Sequence, residues 1–451
     1  MVTPRRAGRG APNNGKLDVW TNGNLVGQWE LVSGEHRFSY AESWMNSPAG
    51  RQVSLSLPFT PGNMPHRGDV VRNYFDNLLP DSDAIRRRLQ EKFATHSAGS
   101  FDLLAAIGRD CVGAVQLMPE GAEPSGWDRI AAQPLDDAGV EHAIDTAVEA
   151  GHTLGQGHED DLRISLAGAQ EKTALLWHEG NWCRPLGATP TTHIFKLPLG
   201  LVGNMRADMS GSVENEWLSA RIVAELGLPV AGCEVANFGR RKVLVVERFD
   251  RARVTGVAGQ PWLARLPQED FCQALGRPSA LKYESDGGPG VADILRLLDT
   301  SSHAETDKRN FVLALLAFWL LAATDGHAKN FSIFLERGGG YRMTPLYDVL
   351  SAWPIIGHGP NHIAPQRAKL AMALRSKNVH SHLSEIQTRH WQGLALKSGV
   401  PFALMTYLVD RVPAALDQVE SQLPGSFPEK IWRPIRAGVL AQALRFSAGL
   451  A

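Results

Sequence analysis

The chain has 451 residues with 46 basic and 47 acidic side chains, a formal net charge of −1, so no global field draws it to nucleic acid and any DNA contact must be local or made through a partner. Cys111, Cys183, Cys233 and Cys272 show neither CxxC nor Cys/His metal spacing, which points to reduced thiols in the cytoplasm rather than disulfides or zinc. The longest apolar run, 311–323, is shorter than the roughly 18 residues a membrane span needs, and the length suits two or three domains.

Residues 1–16 (MVTPRRAGRGAPNNGK) carry almost no large apolar side chain and read as a disordered tail without the apolar core of a signal peptide. Over 17–31, Asn22-Gly23 between two strand-like runs predicts a hairpin that opens a small β-rich module over 17–125. Helices are expected over 78–90 and 101–107, with a returning strand over 112–118. Arg86-Arg87-Arg88 falls in the first of these helices and reads as a solvated face. The stretch 119–126 (PEGAEPSG) is the first linker. Strands follow at 173–177, 193–197, 233–236 and 242–246, interrupted by a single prominent helix over 213–226, capped by Ser212 and stopped by Gly227 and Pro229. This is a β-rich lobe over 126–262. Beyond it, apolar helical runs at 292–298, 311–323, 402–408 and 439–444 predict a helical lobe over 263–451. An α+β chain of this layout leaves a cleft between its lobes, a preferred ligand site.

The chemistry concentrates in 324–330 (TDGHAKN), where Asp325 and Asn330 lie five residues apart, and at Asp348, which closes the strand-like run 341–348. A carboxylate can accept the proton of an attacking hydroxyl while an Asn oxygen and a second carboxylate hold the Mg²⁺ on nucleotide phosphates. The plain alternative is a polar loop after a buried helix, with Asp325 paired to Lys329 or His327. Upstream, the small residues of 163–172 (RISLAGAQEK) let backbone amides approach phosphate oxygens, although an ordinary hairpin turn has the same texture. Ser165 lies beside that predicted phosphate position. Alternation over 192–198 puts Lys196 and Ile194 on one strand face; such a Lys can pair with α- and β-phosphates, oriented by Glu214 or Glu216. The apolar strand 243–246 breaks at Glu247-Arg248-Phe249, where either a domain linker or an adenine-binding hinge would lie, the latter using backbone groups of Glu247 and Phe249.

Taken together, 73–82 (NYFDNLLPDS), 165–176 (SLAGAQEKTALL), 191–198, 246–251, 265–270 (RLPQED), 282–290 (KYESDGGPG), 324–332 and 345–354 resemble the HipA toxin serine/threonine kinases, nearly end to end. The resemblance implies a two-lobed, protein-kinase-like fold of the HipA and phosphoinositide-kinase type. It implies ATP and Mg²⁺ as cofactors, Asp325 as catalytic base, and Asn330 and Asp348 on the metal. Lys196 and the loop residues Ala167, Gly168, Ala169, Gln170, Glu171 and Lys172 would hold the phosphates. Glu247, Arg248 and Phe249 would form the hinge, and His327, Ala328, Lys329, Asn330 and Tyr347 would complete the pocket. Ser165 would be an autophosphorylation site whose modification switches the kinase off.

The same resemblance implies a toxin that acts with a HipB-like helix-turn-helix antitoxin as corepressor on operator DNA. It also implies glutamyl-tRNA synthetase as the protein substrate, with arrested translation and persistence as the result. Family members can touch operator DNA around 389–400 (RHWQGLALKSGV), which is sparsely basic here, so DNA contact is expected mainly through the antitoxin. Two other readings stay open. DGHxxN is similar to the catalytic loop of phosphoinositide kinases, which admits a lipid or small-molecule phosphotransferase, although no basic amphipathic anchor for a membrane is present. A catalytically silent corepressor is the other, against which the intact Asp325, Asn330, Asp348 and Lys196 argue.

Overall fold

In the computed structural model, which describes residues 15–148, 164–203, 206–256 and 259–450, Asn22 and Gly23 turn β1 (Gly15–Thr21) into β2 (Asn24–Val32). Both adopt positive φ, 46° and 76°, as a two-residue hairpin turn demands. A Cβ on Gly23 would lie 2.0 Å from the Trp127 ring, so no other residue fits. With β3 (Glu35–Tyr40), β4 (His66–Arg67) and β6 (Gln116–Pro119) these strands form a five-stranded antiparallel sheet in the order β4-β3-β2-β1-β6. Gly15 and Lys16, assigned to the tail on composition, are instead the first rungs of β1, opposite Leu31 and Glu30; residues 1–14 lie outside the described residues.

Helices α1 (Glu42–Met45), α2 (Asp69–Asp76), α3 (Asp83–Lys92) and α4 (Ser100–Ile107) complete this module. Its core centres on Trp29, stacked on Phe75 with centroids 4.0 Å apart. The helix expected over 78–90 starts later because Ser82 caps it, accepting from the Ile85 amide at 3.4 Å. Arg86 and Arg88 are not a solvated face: Arg86 is 2.8 Å from Asp76 and Arg88 pairs with Glu171, acids that the local sequence does not show.

A six-stranded sheet follows, in the order β14-β15-β11-β9-β10-β7. Its strands are β7 (Ala132–Pro134), β9 (Lys172–His178), β10 (Asn181–Pro185), β11 (His193–Lys196), β14 (Cys233–Phe238) and β15 (Arg241–Glu247). Helix α5 (Asp137–Val148) packs with Val243 and Val245, while α6 (Ser212–Glu225) packs with Leu244 and Val246. Alternate residues of one strand point to opposite faces, so the sheet is covered on both sides. Among its described residues the lobe therefore has two helices; α5 escapes a sequence reading because it buries only Val140, Ala143 and Ile144. Gly211, not Ser212, is the cap of α6, and the Ser212 hydroxyl accepts from the Leu199 amide at 2.9 Å. The short β5 (Asp110–Cys111) pairs in parallel with β8 (Ile164–Ser165), tying the N-terminal module to this lobe. Two hairpins project from the lobe, β12 (Gly200–Val202) with β13 (Ala207–Met209) and β16 (Arg251–Thr255) with β17 (Pro261–Arg265).

The last lobe is built around α9 (Ala304–Leu321), whose residues from Phe311 are apolar on nearly every face and almost all buried. It is surrounded by α8 (Val291–Leu298), α10 (Thr388–Ser398), α11 (Phe402–Asp410) and α13 (Glu429–Ala448), with α12 (Val412–Gln422) beyond. Two small sheets complete it: β18 (Gln268–Asp270), β19 (Ser332–Leu335) and β20 (Tyr341–Met343), and the hairpin of β21 (Lys369–Arg375) with β22 (Val379–His382). The short α7 (Phe271–Ala274) follows β18. No helix among the described residues is long and apolar enough to cross a membrane.

The N-terminal module and the β-rich lobe meet at a buried charge cluster. Asp110 lies 3.2, 2.9 and 3.3 Å from Arg248, Arg251 and Arg265, and accepts from the Thr191 amide and hydroxyl at 3.0 and 2.7 Å. Asp250 holds Arg248 and Arg251 from the other side and accepts from the Gly113 amide at 2.7 Å. Burial disfavours the Asp110 carboxylate, yet the three guanidinium groups outweigh it and hold its pKa far below the usual range. Such a cluster is weak evidence of net stability but costly to break, because an unpaired buried charge remains. Asp110→Ala is expected to destabilise the fold by about 3–5 kcal/mol, read as a lowered urea midpoint; a wild-type midpoint would remove the cluster from this role.

Candidate active site

The sheet, the helical lobe and the N-terminal module enclose a cleft of about 210 Å³. Lys196, at the end of β11, is buried and its ammonium bonds both Glu216 of α6 and Asp348. Burial works against that ammonium, but the Asp348 and Glu216 carboxylates raise its pKa above the ordinary lysine value. Glu216 is thus the acid that orients Lys196, while Glu214 pairs with Lys242 at 2.7 Å. The next residue back, Asn215, exchanges two hydrogen bonds with the backbone of Ser351, 2.8 and 2.9 Å. One helix therefore locks both Lys196 and the segment that carries Asp348.

Asp348 does not lie in a strand. β20 stops at Met343, and Asp348 adopts φ 56°, a left-handed conformation that Asp tolerates better than most residues. Burial opposes its ionisation, and the Lys196 and Lys172 charges overcome this and lower its pKa. Asn330 sits in a short 3₁₀ turn and donates to the Asp348 carbonyl at 3.3 Å. No group of three or more His, Cys, Asp or Glu among the described residues could hold a metal alone. An Asn oxygen and one ionised carboxylate are hard oxygen donors that suit Mg²⁺ once phosphate oxygens complete its shell.

Asp325 follows α9, which ends at Ala322 in the left-handed conformation, φ 50°, closed by the Ala323 amide on the Phe318 carbonyl at 2.7 Å. Its carboxylate is exposed and pairs with neither Lys329 nor His327; it accepts from the Tyr283 hydroxyl at 2.5 Å. His327 lies under Tyr283, edge to face at 4.9 Å, with its pKa pushed down to about 4 by burial. The imidazole is neutral at pH 7, and its Nδ1 is buried without a partner in the cleft wall, a polar atom a ligand could satisfy.

Ala167, Gly168, Ala169, Gln170 and Lys172 line the cleft. Gly168 has φ 105°, and a Cβ there would come 2.8 Å from Lys172 Nζ, so the loop needs glycine at this point. Glu171 turns away, its carboxylate held by Arg88. At the hinge, the Glu247 and Arg248 amides are committed to the Gly232 and Thr192 carbonyls at 2.8 and 2.9 Å. The Arg248 side chain belongs to the Asp110 cluster, and Arg248 also lines the cleft. Ala328 is packed in the helical-lobe core, whereas Lys329 and Tyr347 line the cleft, joined by a 2.8 Å bond from the Tyr347 hydroxyl to the Lys329 carbonyl.

Sequence reasoning missed the contribution of the N-terminal module. Asp81 holds Lys282 at 2.8 Å and Lys329 at 3.0 Å, Asn77 accepts from Lys329 at 3.0 Å, and the Asp81 amide donates to the Gly168 carbonyl at 3.0 Å. Nothing in the spacing of Asp81 announces this. The only signal was its place in the NYFDNLLPDS block, to which no role was attached.

Residues 17–118 match the HipA N-terminal domain and residues 164–422 the HipA-like C-terminal domain. The chain belongs to the HipA family. It is 35% identical over 415 residues to the putative kinase Y4mE of Sinorhizobium fredii, covering 89% of this chain and 91% of that one. It is 27% identical to the serine/threonine-protein kinase toxin HipA of Shewanella oneidensis, covering 90% of each. In fold it resembles a chain of the Shewanella oneidensis HipA, HipB and operator DNA complex, with a TM-score of 0.74 at 24% identity over 96% of this chain and 97% of that one. The two-lobed HipA kinase fold expected from the sequence is the fold observed, and a kinase implies ATP as the nucleotide.

Asp81 yields a pH-dependent expectation. Burial opposes its charge, but Lys329 and Lys282 bring its pKa down from 3.8 to about 2. A carboxylate with a depressed folded-state pKa contributes stability above its unfolded value and loses it as pH falls toward the folded one. Asp81→Asn is therefore expected to cost about 2–3 kcal/mol at pH 7, with the gap to wild type narrowing below pH 4 in denaturant titrations. A gap unchanged down to pH 3 would contradict this account.

Proposed function

We propose that this HipA-like serine/threonine-protein kinase transfers the γ-phosphate of ATP, with Mg²⁺, to a protein hydroxyl. The observation that carries the reading is the convergence of Lys196, Asp348 and Asn330 on one side of the cleft with Asp325 at its mouth. Lys196 would pair with nucleotide phosphates, held by Glu216. The loop amides around Gly168 would approach them closely, and the backbone at Glu247 and Phe249 would meet the base. Asn330 and Asp348 would hold Mg²⁺, which when bound neutralises phosphate charge. Asp325 would accept the proton of the attacking hydroxyl.

Ser165 fits the role of an autophosphorylated switch. It is fully buried and donates to the Leu78 carbonyl at 2.8 Å, so its hydroxyl can be modified only when the loop leaves this position. A phosphate of charge about −1.5 to −2 could not return to that site. By family membership we further propose a cytoplasmic toxin whose partner is a HipB-like antitoxin and which acts as corepressor. Residues 17–125, 126–262 and 263–451 would be its modules. Glutamyl-tRNA synthetase would be the protein substrate, and persistence the outcome. DNA contact would come mainly through the antitoxin: in 389–400 one of the few cations, Lys397, is tied to the Arg375 carbonyl at 2.6 Å.

Incubated with labelled ATP and Mg²⁺, the wild-type chain is expected to label itself at Ser165 and to label glutamyl-tRNA synthetase. Asp325→Asn should lower both by about 10²- to 10⁴-fold. Label that persists at full rate in the variant would take Asp325 out of the base role. Absence of any label on any protein would defeat the kinase reading in favour of a silent corepressor.

A further inference from the structure

Asp325 belongs to two concavities. On one side it closes the nucleotide cleft; on the other it heads a groove of about 430 Å³ running from Tyr283 along the hairpin of β21 and β22. The groove has an apolar lining that includes Ile363, Leu370 and Val379, the last 54% exposed. Its polar rim is unevenly charged. Glu284 is neutralised, one oxygen on Arg375 and the other accepting from the Ala373 amide at 2.7 Å. Arg367 and Lys369 are exposed on the same rim and have no acidic partner within 4.0 Å among the described residues. Apart from Asp325 itself, the uncancelled charge of the groove is positive.

The Tyr283 hydroxyl on Asp325 stands where an acceptor hydroxyl would have to stand. Burial and the Asp325 charge push its pKa well above the ordinary phenol value, so it remains a donor, as a serine or threonine hydroxyl is. Phosphoryl transfer places attacking and leaving oxygens roughly in line, and a nucleotide in the cleft leaves the groove side of Asp325 for the acceptor.

We propose that this groove receives an extended segment of the protein substrate and favours segments with Asp or Glu beside the acceptor, read by Arg367 and Lys369. The proposal rests on the kinase reading above. The acceptor hydroxyl replaces Tyr283 on Asp325. Its oxygen bonds to the γ-phosphorus as the bond from that phosphorus to the bridging oxygen of ADP breaks, and its proton passes to the Asp325 carboxylate. Each exposed ion pair is weak, so two together should give a preference of about ten-fold.

The test uses synthetic peptides with one central serine flanked by Glu, Gln or Lys, assayed for kcat/KM with the full chain. The wild type should prefer Glu over Lys flanks by about ten-fold, mainly through KM. Arg367→Glu with Lys369→Glu should reverse that order, and the milder Arg367→Gln with Lys369→Gln should flatten it. Affinity for a fluorescent ATP analogue should stay unchanged in both, showing that the fold and the nucleotide cleft are intact. A flat preference in the wild type would overturn the groove while leaving the kinase reading in place. So would a preference that survives charge reversal, or label on Ser165 with none on any peptide. No transfer to peptide or chain would overturn both.

Discussion

Asp110 is the constraint on which the rest of the molecule depends. Three guanidinium groups, Arg248 and those of Arg251 in β16 and Arg265 in β17, converge on one carboxylate contributed by the N-terminal module. Because burial penalises each unpaired charge by several kcal/mol, the module cannot shift relative to the hinge without exposing the whole set. Asp110 is also half of β5, whose other residue pairs with Ser165. The same short segment thus fixes Arg248 and Arg251 on one side and the start of the loop 165–171 on the other. A kinase cleft is usually described by two lobes; here a third body forms part of the wall.

That arrangement accounts for where electrostatic order enters the site. Lys196 and Asp348 come from different lobes, and Glu216 holds the lysine so that it need not find its own position. Only one Asp348 oxygen is engaged by the ammonium, leaving the other for a cation. Below them, Asp81 compensates Lys282 and Lys329 at once, keeping two cations in the cleft wall without leaving either charge unpaired. Lys196, Lys282 and Lys329 are thus each held by a carboxylate, the last two by one that the N-terminal module supplies.

How much of this was legible follows from the range of the interactions. Asp325 and Asn330 are five residues apart and sit on a loop delivered by a strongly apolar helix, so local pattern was enough to find them. Lys196 was legible because strand alternation places it on one face. The Asn22-Gly23 turn was legible because its backbone demands those residues. What was missed is long-range pairing. Arg86 and Arg88 looked solvated because Asp76 and Glu171 approach through tertiary structure, and Arg248 looked like a hinge contact because Asp110 lies 138 positions away. Helix α5 was missed because three modest apolar side chains make too weak a stripe. Asp81 carries no local signature at all.

The fastening of the loop 165–171 has a consequence for control. Besides the β5–β8 rungs and the bonds that join Gln170 and Glu171 to Leu197, the loop is fastened to the N-terminal module by the Ser165 bond to Leu78, the Asp81 amide on Gly168 and the partly exposed Arg88–Glu171 pair. Neutral hydrogen bonds contribute about 0.5–1.5 kcal/mol each, and a partly exposed ion pair about 0–1, so these three contacts together are worth only a few kcal/mol. Returning a doubly charged phosphate to the dry position of Ser165 would cost more than those contacts return. On the proposed reading, one modification is therefore large enough to reverse the loop's preference, while the unmodified loop can still open often enough to be modified. The N-terminal module supplies that balance, since every one of these contacts has its other half there.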